Sequence, residues 1–226
     1  TIAAGSPRHL VRTRIYGENV VHVFGILPLG STEETMDVSV PRPALWFAAA
    51  LKEALVRRGI RVAGTARSLR WPDAPASAAD TKLGEITSPP LRELITGLLK
   101  PSQNLETDLV FAYLGETLRT PDAPGMQTAE ESAAVALHEF LRANGLPADE
   151  VRFDEGSGLS RNNLATANAT VALLQFMAKH RAAKDYFDAL PIAGVDGTIR
   201  RRMKGTAAEN NVRAKTGSLR YANSLS

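Results

Sequence analysis

Two short runs of the 226-residue chain combine side chains that can move protons and hold anions. The first is Ser102-Gln103-Asn104, directly after Pro101. A serine hydroxyl can pass a proton to a departing nitrogen. A carboxamide offers donor and acceptor together, so Asn104 can orient a substrate amide while holding a neighbouring lysine. The second run is Lys215-Thr216-Gly217-Ser218, near the end of the chain. Lys215 supplies positive charge that favours an anionic substrate end and disfavours protonation of nearby amines. Thr216 and Ser218 present hydroxyls suited to a carboxylate. Gly217, with no side chain, lets a substrate approach the strand backbone and add to a sheet edge. Each run also has a plainer explanation. Ser102 is a good N-cap for a helix starting at Leu105, and KTGS reads equally as an exposed turn.

Other chemistries are less well supplied. The chain has no cysteine, which removes disulfides, thiolate catalysis and Cys-based zinc sites. Its four histidines, His9, His22, His138 and His180, show no metal-ligand spacing, so no metal is expected. The net charge of +3 is mild, and the one basic triple, Arg200-Arg201-Arg202, lacks interleaved aromatics. It reads as a solvated loop, and nucleic acid is not an expected partner. No apolar run reaches the roughly 18–20 residues of a membrane span. A hydrophobic share of 44% beside 23% charged residues is that of an ordinary globular protein. Thr1 is not an initiator methionine, so the expectation is that upstream sequence precedes it and that any signal peptide lies there.

The elements that must position these residues follow from pattern. Leu10–Ile15, Asn19–Ile26 and Glu34–Val40 read as short strands separated by Gly17, Pro28 and Gly30. ALWFAAALKEALVRR, from Ala44 to Arg58, is an amphipathic helix closed by Gly59. Ile60–Val62 and Ala66–Leu69 read as returning strands, and the Pro/Ala/Ser-rich segment Trp71–Asp80 as a domain boundary. Thr87 or Ser88 can cap the next helix, with Pro89 and Pro90 in its first turn, and Pro101 ends it. A helix over Leu105–Leu118 then leaves a tight bend at Pro101–Asn104, which holds Ser102. Thr128-Ala129-Glu130-Glu131 is a capping box opening a helix to Asn144-Gly145, with Val135, Leu137, Phe140 and Leu141 as its expected buried face. A glycine- and serine-rich loop at Phe153–Arg161 precedes a helix at Ala165–Arg181. Val212–Lys215 and Leu219–Leu225 read as strands around an interruption at Gly217. Strands early, helices in the middle and strands at the end predict an α/β (α+β) chain, a helical cluster packed on a sheet with part of a β-rich domain attached.

In that order and at those places, the two runs resemble the second and third active-site motifs of the serine penicillin-recognising enzymes. ITSPPLRELITGLLKPSQNLETDLV (Ile86–Val110) is similar to the low-molecular-mass class C penicillin-binding proteins, the D-Ala-D-Ala carboxypeptidase/endopeptidase family also called peptidase family S13. GSGLSR (Gly156–Arg161), LPIAGVDGTIRRR (Leu190–Arg202), AKTGSL (Ala214–Leu219) and VPRPALWFAAALKEALVRRGIRVAG (Val40–Gly64) follow the same pattern. One small departure is Glu155 where the family usually has Asp. The loop that follows is as readily a turn beneath the site as a substrate contact.

The resemblance implies a penicillin-binding transpeptidase/β-lactamase-like fold, a helical cluster on an antiparallel sheet, incomplete here. Residues 1–80 would be the end of an inserted β-rich domain with a connecting helix, and 81–226 part of the catalytic domain. It implies Ser102, Asn104 and Lys215 as catalytic residues and Thr216, Gly217 and Ser218 as substrate-binding ones. It further implies peptidoglycan stem peptides and β-lactam antibiotics as partners, no cofactor, and a periplasmic or cell-envelope location. The family's nucleophile lies in an S-x-x-K turn, and no serine here has lysine three positions on. The segment alone is therefore expected to be inactive and internal to a longer protein. Competing readings are a β-lactamase or esterase of the same superfamily, against which the Val40–Gly64 segment argues, and a non-catalytic wall-binding module.

Overall fold

In a computed structural model of the chain, residues 2–69, 84–120, 125 and 127–226 are described. Backbone contacts divide the chain into a unit of Thr1–Leu83 and a unit of Gly84–Ser226. The expected boundary at Trp71–Asp80 lies outside the described residues.

In the first unit, β1 (His9–Thr13) pairs antiparallel with β2 (His22–Ile26), His9 facing Ile26 and Thr13 facing His22. Gly25 has φ 136°, and a Cβ there would sit 2.1 Å from the His9 carbonyl oxygen, so this register requires glycine. The third expected strand, Glu34–Val40, does not form. Arginine side chains hold that stretch instead: Arg8 pairs with Glu34, and Arg14 donates to the Ser39 carbonyl at 2.6 Å and to its hydroxyl at 2.7 Å. Ile60–Val62 and Ala66–Leu69 are likewise irregular. Helix α1 runs Pro43–Arg57, with proline in its first turn. It ends as the sequence suggests. Gly59 adopts φ 81°, its N–H donates to Val56 O, and the Ile60 N–H donates to Leu55 O.

Among its described residues the second unit carries five further α-helices and two strand pairs. Helix α2 spans Leu91–Leu99 and α3 spans Asn104–Leu118. Pro90, not Thr87 or Ser88, is the N-cap of α2, at ψ 147°. A residue before proline avoids the helical region, so Pro89 stays extended and helix starts only beyond Pro90. Helix α4 (Ala129–Ala143) opens on the expected capping box, with Thr128 and Glu131 satisfying each other's backbone N–H groups. It packs on α3 through small residues. A Cβ on Gly115 would fall 1.7 Å from the Ala129 carbonyl oxygen. That close approach buries Ser132, Ala133 and Leu141, while Val135 and Phe140 are exposed, contrary to expectation.

β3 (Val151–Arg152) pairs with β4 (Leu164–Ala165) and closes the base of the glycine-rich loop between them. Helix α5 (Ala167–Lys179) is capped by the Thr166 hydroxyl, and the short α6 (Ala183–Ala189) packs against α2. β5 (Thr216–Leu219) and β6 (Ala222–Leu225) form a hairpin. Gly217 lies inside β5, and the turn falls at Arg220-Tyr221, where Tyr221 has φ 69°. The chain is thus a mixed helix and sheet structure with small antiparallel sheets. A small core of Ala193, Ile199 and Ala214 lies under the segment leading into β5.

Candidate active site

Serine at 102 ends helix α2 where glycine is the usual choice. It has φ 64°, and the next N–H, that of Gln103, donates to Leu98 O at 2.8 Å. This is the six-to-one closure of a left-handed helix end. A side chain in that region costs about 1–2 kcal/mol. The bend leaves Ser102 half-buried and does not use it as a cap, because the N-cap of α3 is Gln103 and it makes no side-chain cap bond.

What the hydroxyl meets is Lys215. The lysine Nζ donates to Ser102 Oγ at 2.6 Å and to the Thr216 carbonyl at 2.7 Å. Burial lowers the Lys215 pKa from its ordinary 10.5. Lys215 is also paired through its backbone with Ser226, which extends the β5–β6 ladder by one position. KTGS is therefore a strand with its lysine at the strand's start, not an exposed turn.

These residues line a cleft of about 600 Å³. Its walls are Ser102 and Asn104 on one side, Thr216, Gly217 and Ser218 on another, and Gly156 to Leu159 on a third. Asn104 is exposed at the first turn of α3, and its carboxamide has no hydrogen-bond partner among the described residues. Thr216 and Ser218 alternate onto one face of β5, the Thr216 hydroxyl 2.8 Å from that of Thr198. All six residues singled out from sequence are brought together. Gly217 has a further reason to lack a side chain, since a Cβ there would lie 2.5 Å from Ser224 Oγ on β6.

The glycine-rich wall is held from within. Glu155 accepts from the backbone of Ser157 at 2.5 Å and of Ser160 at 3.0 Å, and from Asn163 Nδ2 at 2.6 Å. Asn163 Oδ1 in turn accepts from Asp154 N. Burial acts to raise the Glu155 pKa, but bonds from the Ser157 side chain and from the N–H groups of Ser160, Ser157 and Gly158 outweigh it and leave it lowered. Gly156 presses on α3, where a Cβ would meet Phe111 Cβ at 2.5 Å, and its N–H donates to Asp108. Glu155 thus folds into its own loop, and the loop presents Gly156, Ser157, Gly158 and Leu159 to the cleft. Thr198 in the cleft wall, and Lys100 and Asp196 behind it, are among the neighbours missed from sequence. Their signal was present, because they lie in LLKPSQN and in AGVDGT, stretches that carried the resemblance without a role.

The arrangement can relay a proton between an amine and a hydroxyl beside a sheet edge fit to receive an extended peptide. The model of the D-Ala-D-Ala carboxypeptidase 3 (S13) family matches residues 1–226. The chain belongs to this family. A D-alanyl-D-alanine carboxypeptidase of Actinomadura sp. (strain R39) is 33% identical across the whole of this chain and 41% of its own length. A penicillin-sensitive carboxypeptidase A of Dictyostelium discoideum is 25% identical, covering 91% of this chain and 38% of its own. Among solved structures, penicillin binding protein 4 (dacB) of Haemophilus influenzae, complexed with a novel β-lactam, superposes with a TM-score of 0.68. It shares 26% identity over 94% of this chain and 47% of that one. The S13 chain therefore has the penicillin-binding fold and spans about two fifths of the length of these two relatives. Among the described residues no helix is long and apolar enough to cross a membrane.

Proposed function

We propose that the S13 protein containing this segment is a serine-type D-Ala-D-Ala carboxypeptidase or DD-endopeptidase. Its substrates are peptidoglycan stem peptides in the periplasm or cell envelope, and penicillins acylate it covalently. A serine of an S-x-x-K turn outside residues 1–226 attacks the D-Ala-D-Ala carbonyl. The peptide C–N bond breaks, and the departing amine takes up a proton. Water then hydrolyses the ester and regenerates the serine.

Within that reaction Ser102 hands the proton to the leaving nitrogen, and Lys215 sets its readiness to do so. Asn104 orients the substrate amide and steadies the lysine of the nucleophile turn. Thr216 and Ser218 bind the terminal carboxylate, and β5 receives the peptide along its edge. The observation that carries the reading is the 2.6 Å contact between Lys215 Nζ and Ser102 Oγ, made across 113 residues inside a cleft.

The test is fluorescent penicillin labelling of the full-length protein, followed by release of D-alanine from a pentapeptide stem. A covalent adduct with D-alanine release is expected. No adduct would leave a non-catalytic wall-binding module as the better account, and β-lactam turnover without D-alanine release would indicate a β-lactamase.

A further inference from the structure

Three segments of the second unit meet at the cleft through a closed chain of polar contacts. Lys100, two residues before Ser102, donates to Asp196 Oδ2 at 2.6 Å and to the Leu190 carbonyl at 2.8 Å. Its side chain is 19% exposed, against 38% for Asp196. The other carboxylate oxygen, Asp196 Oδ1, accepts from Ile192 N at 2.8 Å and so braces the loop it belongs to. Two residues past Asp196, the Thr198 hydroxyl meets that of Thr216 at 2.8 Å. Thr216 adjoins Lys215, whose Nζ returns to Ser102 Oγ at 2.6 Å.

The 190–199 segment is also locked by backbone to the stretch entering β5. Ala193 N donates to Val212 O, Ala214 N to Pro191 O, and Asn210 N to Ala193 O. Its Ile199 is fully buried, and Gly197, at φ 57°, admits the Lys100 carbonyl to within 2.7 Å of where a Cβ would be. The segment therefore moves with Lys215, and Lys100 joins it to the bend that holds Ser102.

We propose that Lys100 and Asp196 form a positioning pair that sets the Ser102–Lys215 distance for acylation. This rests on the acyl-transfer reading of the cleft. Neither side chain lines the cleft. Their ion pair fixes how far apart the α2–α3 bend and the start of β5 stand. A misplacement of about 1 Å in such a site costs on the order of 100-fold in rate, so the pair acts on the acylation step more than on initial binding.

The experiment uses the full-length protein and follows fluorescent penicillin acylation, separating the rate of the covalent step from the prior dissociation constant. Asp196→Asn and Lys100→Gln are each expected to slow the covalent step by about 10- to 100-fold, with the dissociation constant changed less than about twofold. Lys100→Arg, which keeps the cation, recovers much of the rate. Placed in a Ser102→Ala background, Asp196→Asn adds little further loss, because groups acting as one unit are not additive. Thr128→Ala, which weakens α4 away from the cleft, leaves the covalent rate unchanged and controls for loss of stability.

Three outcomes overturn the pair's role while wild-type protein labels normally. One is an unchanged rate in both Asp196→Asn and Lys100→Gln. Another is losses that add fully to that of Ser102→Ala, and the third is Lys100→Arg falling as far as Lys100→Gln. Absence of labelling in wild-type protein overturns the acyl-transfer reading itself.

Discussion

Lys215 is a cation in a place that disfavours its charge, and that sets two opposite pH trends. Burial lowers its pKa from 10.5, and among the described residues no carboxylate pairs with it. The charge proposed to attract a substrate carboxylate is thus present at low pH and lost as pH rises through the folded value. In full-length protein, acylation is expected to fall along an alkaline limb that begins below 10.5, with Lys215→Arg moving that limb upward. Stability runs the other way. Between the folded pKa and 10.5 the unfolded chain holds more protons, so stability from this group increases with pH across that window. Denaturant titrations at stepped pH would check it. Replacing Ser102 by alanine removes the acceptor of the Lys215 bond and should reduce acylation by about 100- to 10,000-fold if the hydroxyl is the proton relay. These two residues were legible in sequence because their types and neighbours form compact motifs. Lys100 and Asp196 lie in stretches that carried the resemblance, but their pairing was not legible, since a lysine at a helix end is ordinary there and neither residue belongs to a compact motif.

Elements were legible where a local rule governs them and obscure where tertiary contact does. The capping box at Thr128 and the left-handed glycine after α1 each satisfy a helix end from neighbouring residues, so sequence located them closely. Glu34–Val40 has strand-like composition, yet its described contacts run through arginine side chains, which periodicity does not see. The buried face of α4 was misjudged for a related reason: Gly115 admits α4 so closely that alanine and serine fill the contact. Gly115→Ala should therefore destabilise the protein by about 3 kcal/mol through overpacking, read as a lowered midpoint in urea. The glycine-rich wall of the cleft has its own acid sensitivity. Glu155 is held below its ordinary 4.5, so its contribution is complete above that value and declines as pH falls through the folded pKa. Hydrogen exchange at Ser157 and Ser160 should accelerate there relative to the pH trend of other amides, and Glu155→Gln should abolish the difference.

For the molecule as a whole, the family and the pairing of the two motifs were readable from the chain, because the resemblance runs through most of its length. The meeting of α2, the 190–199 segment and β5 was not, because it rests on contacts between segments far apart in sequence. On the proposed acyl-transfer reading, residues 1–226 hold one side of the site, and they contain no serine followed three places later by lysine. Expressed alone, they should form no covalent adduct with penicillin, whereas the full-length protein should; mass spectrometry of both decides it. The backbone of Ser102 bears on how such a protein should be engineered. Glycine relaxes a left-handed position at no steric cost, so a thermostability screen run without an activity filter would enrich Ser102→Gly as an improvement. The same variant would lack the hydroxyl that meets Lys215, and with it the proton relay proposed for Ser102. Libraries built for robustness should hold position 102 fixed, and a glycine recovered there marks a clone in which selection for durability has erased the chemistry.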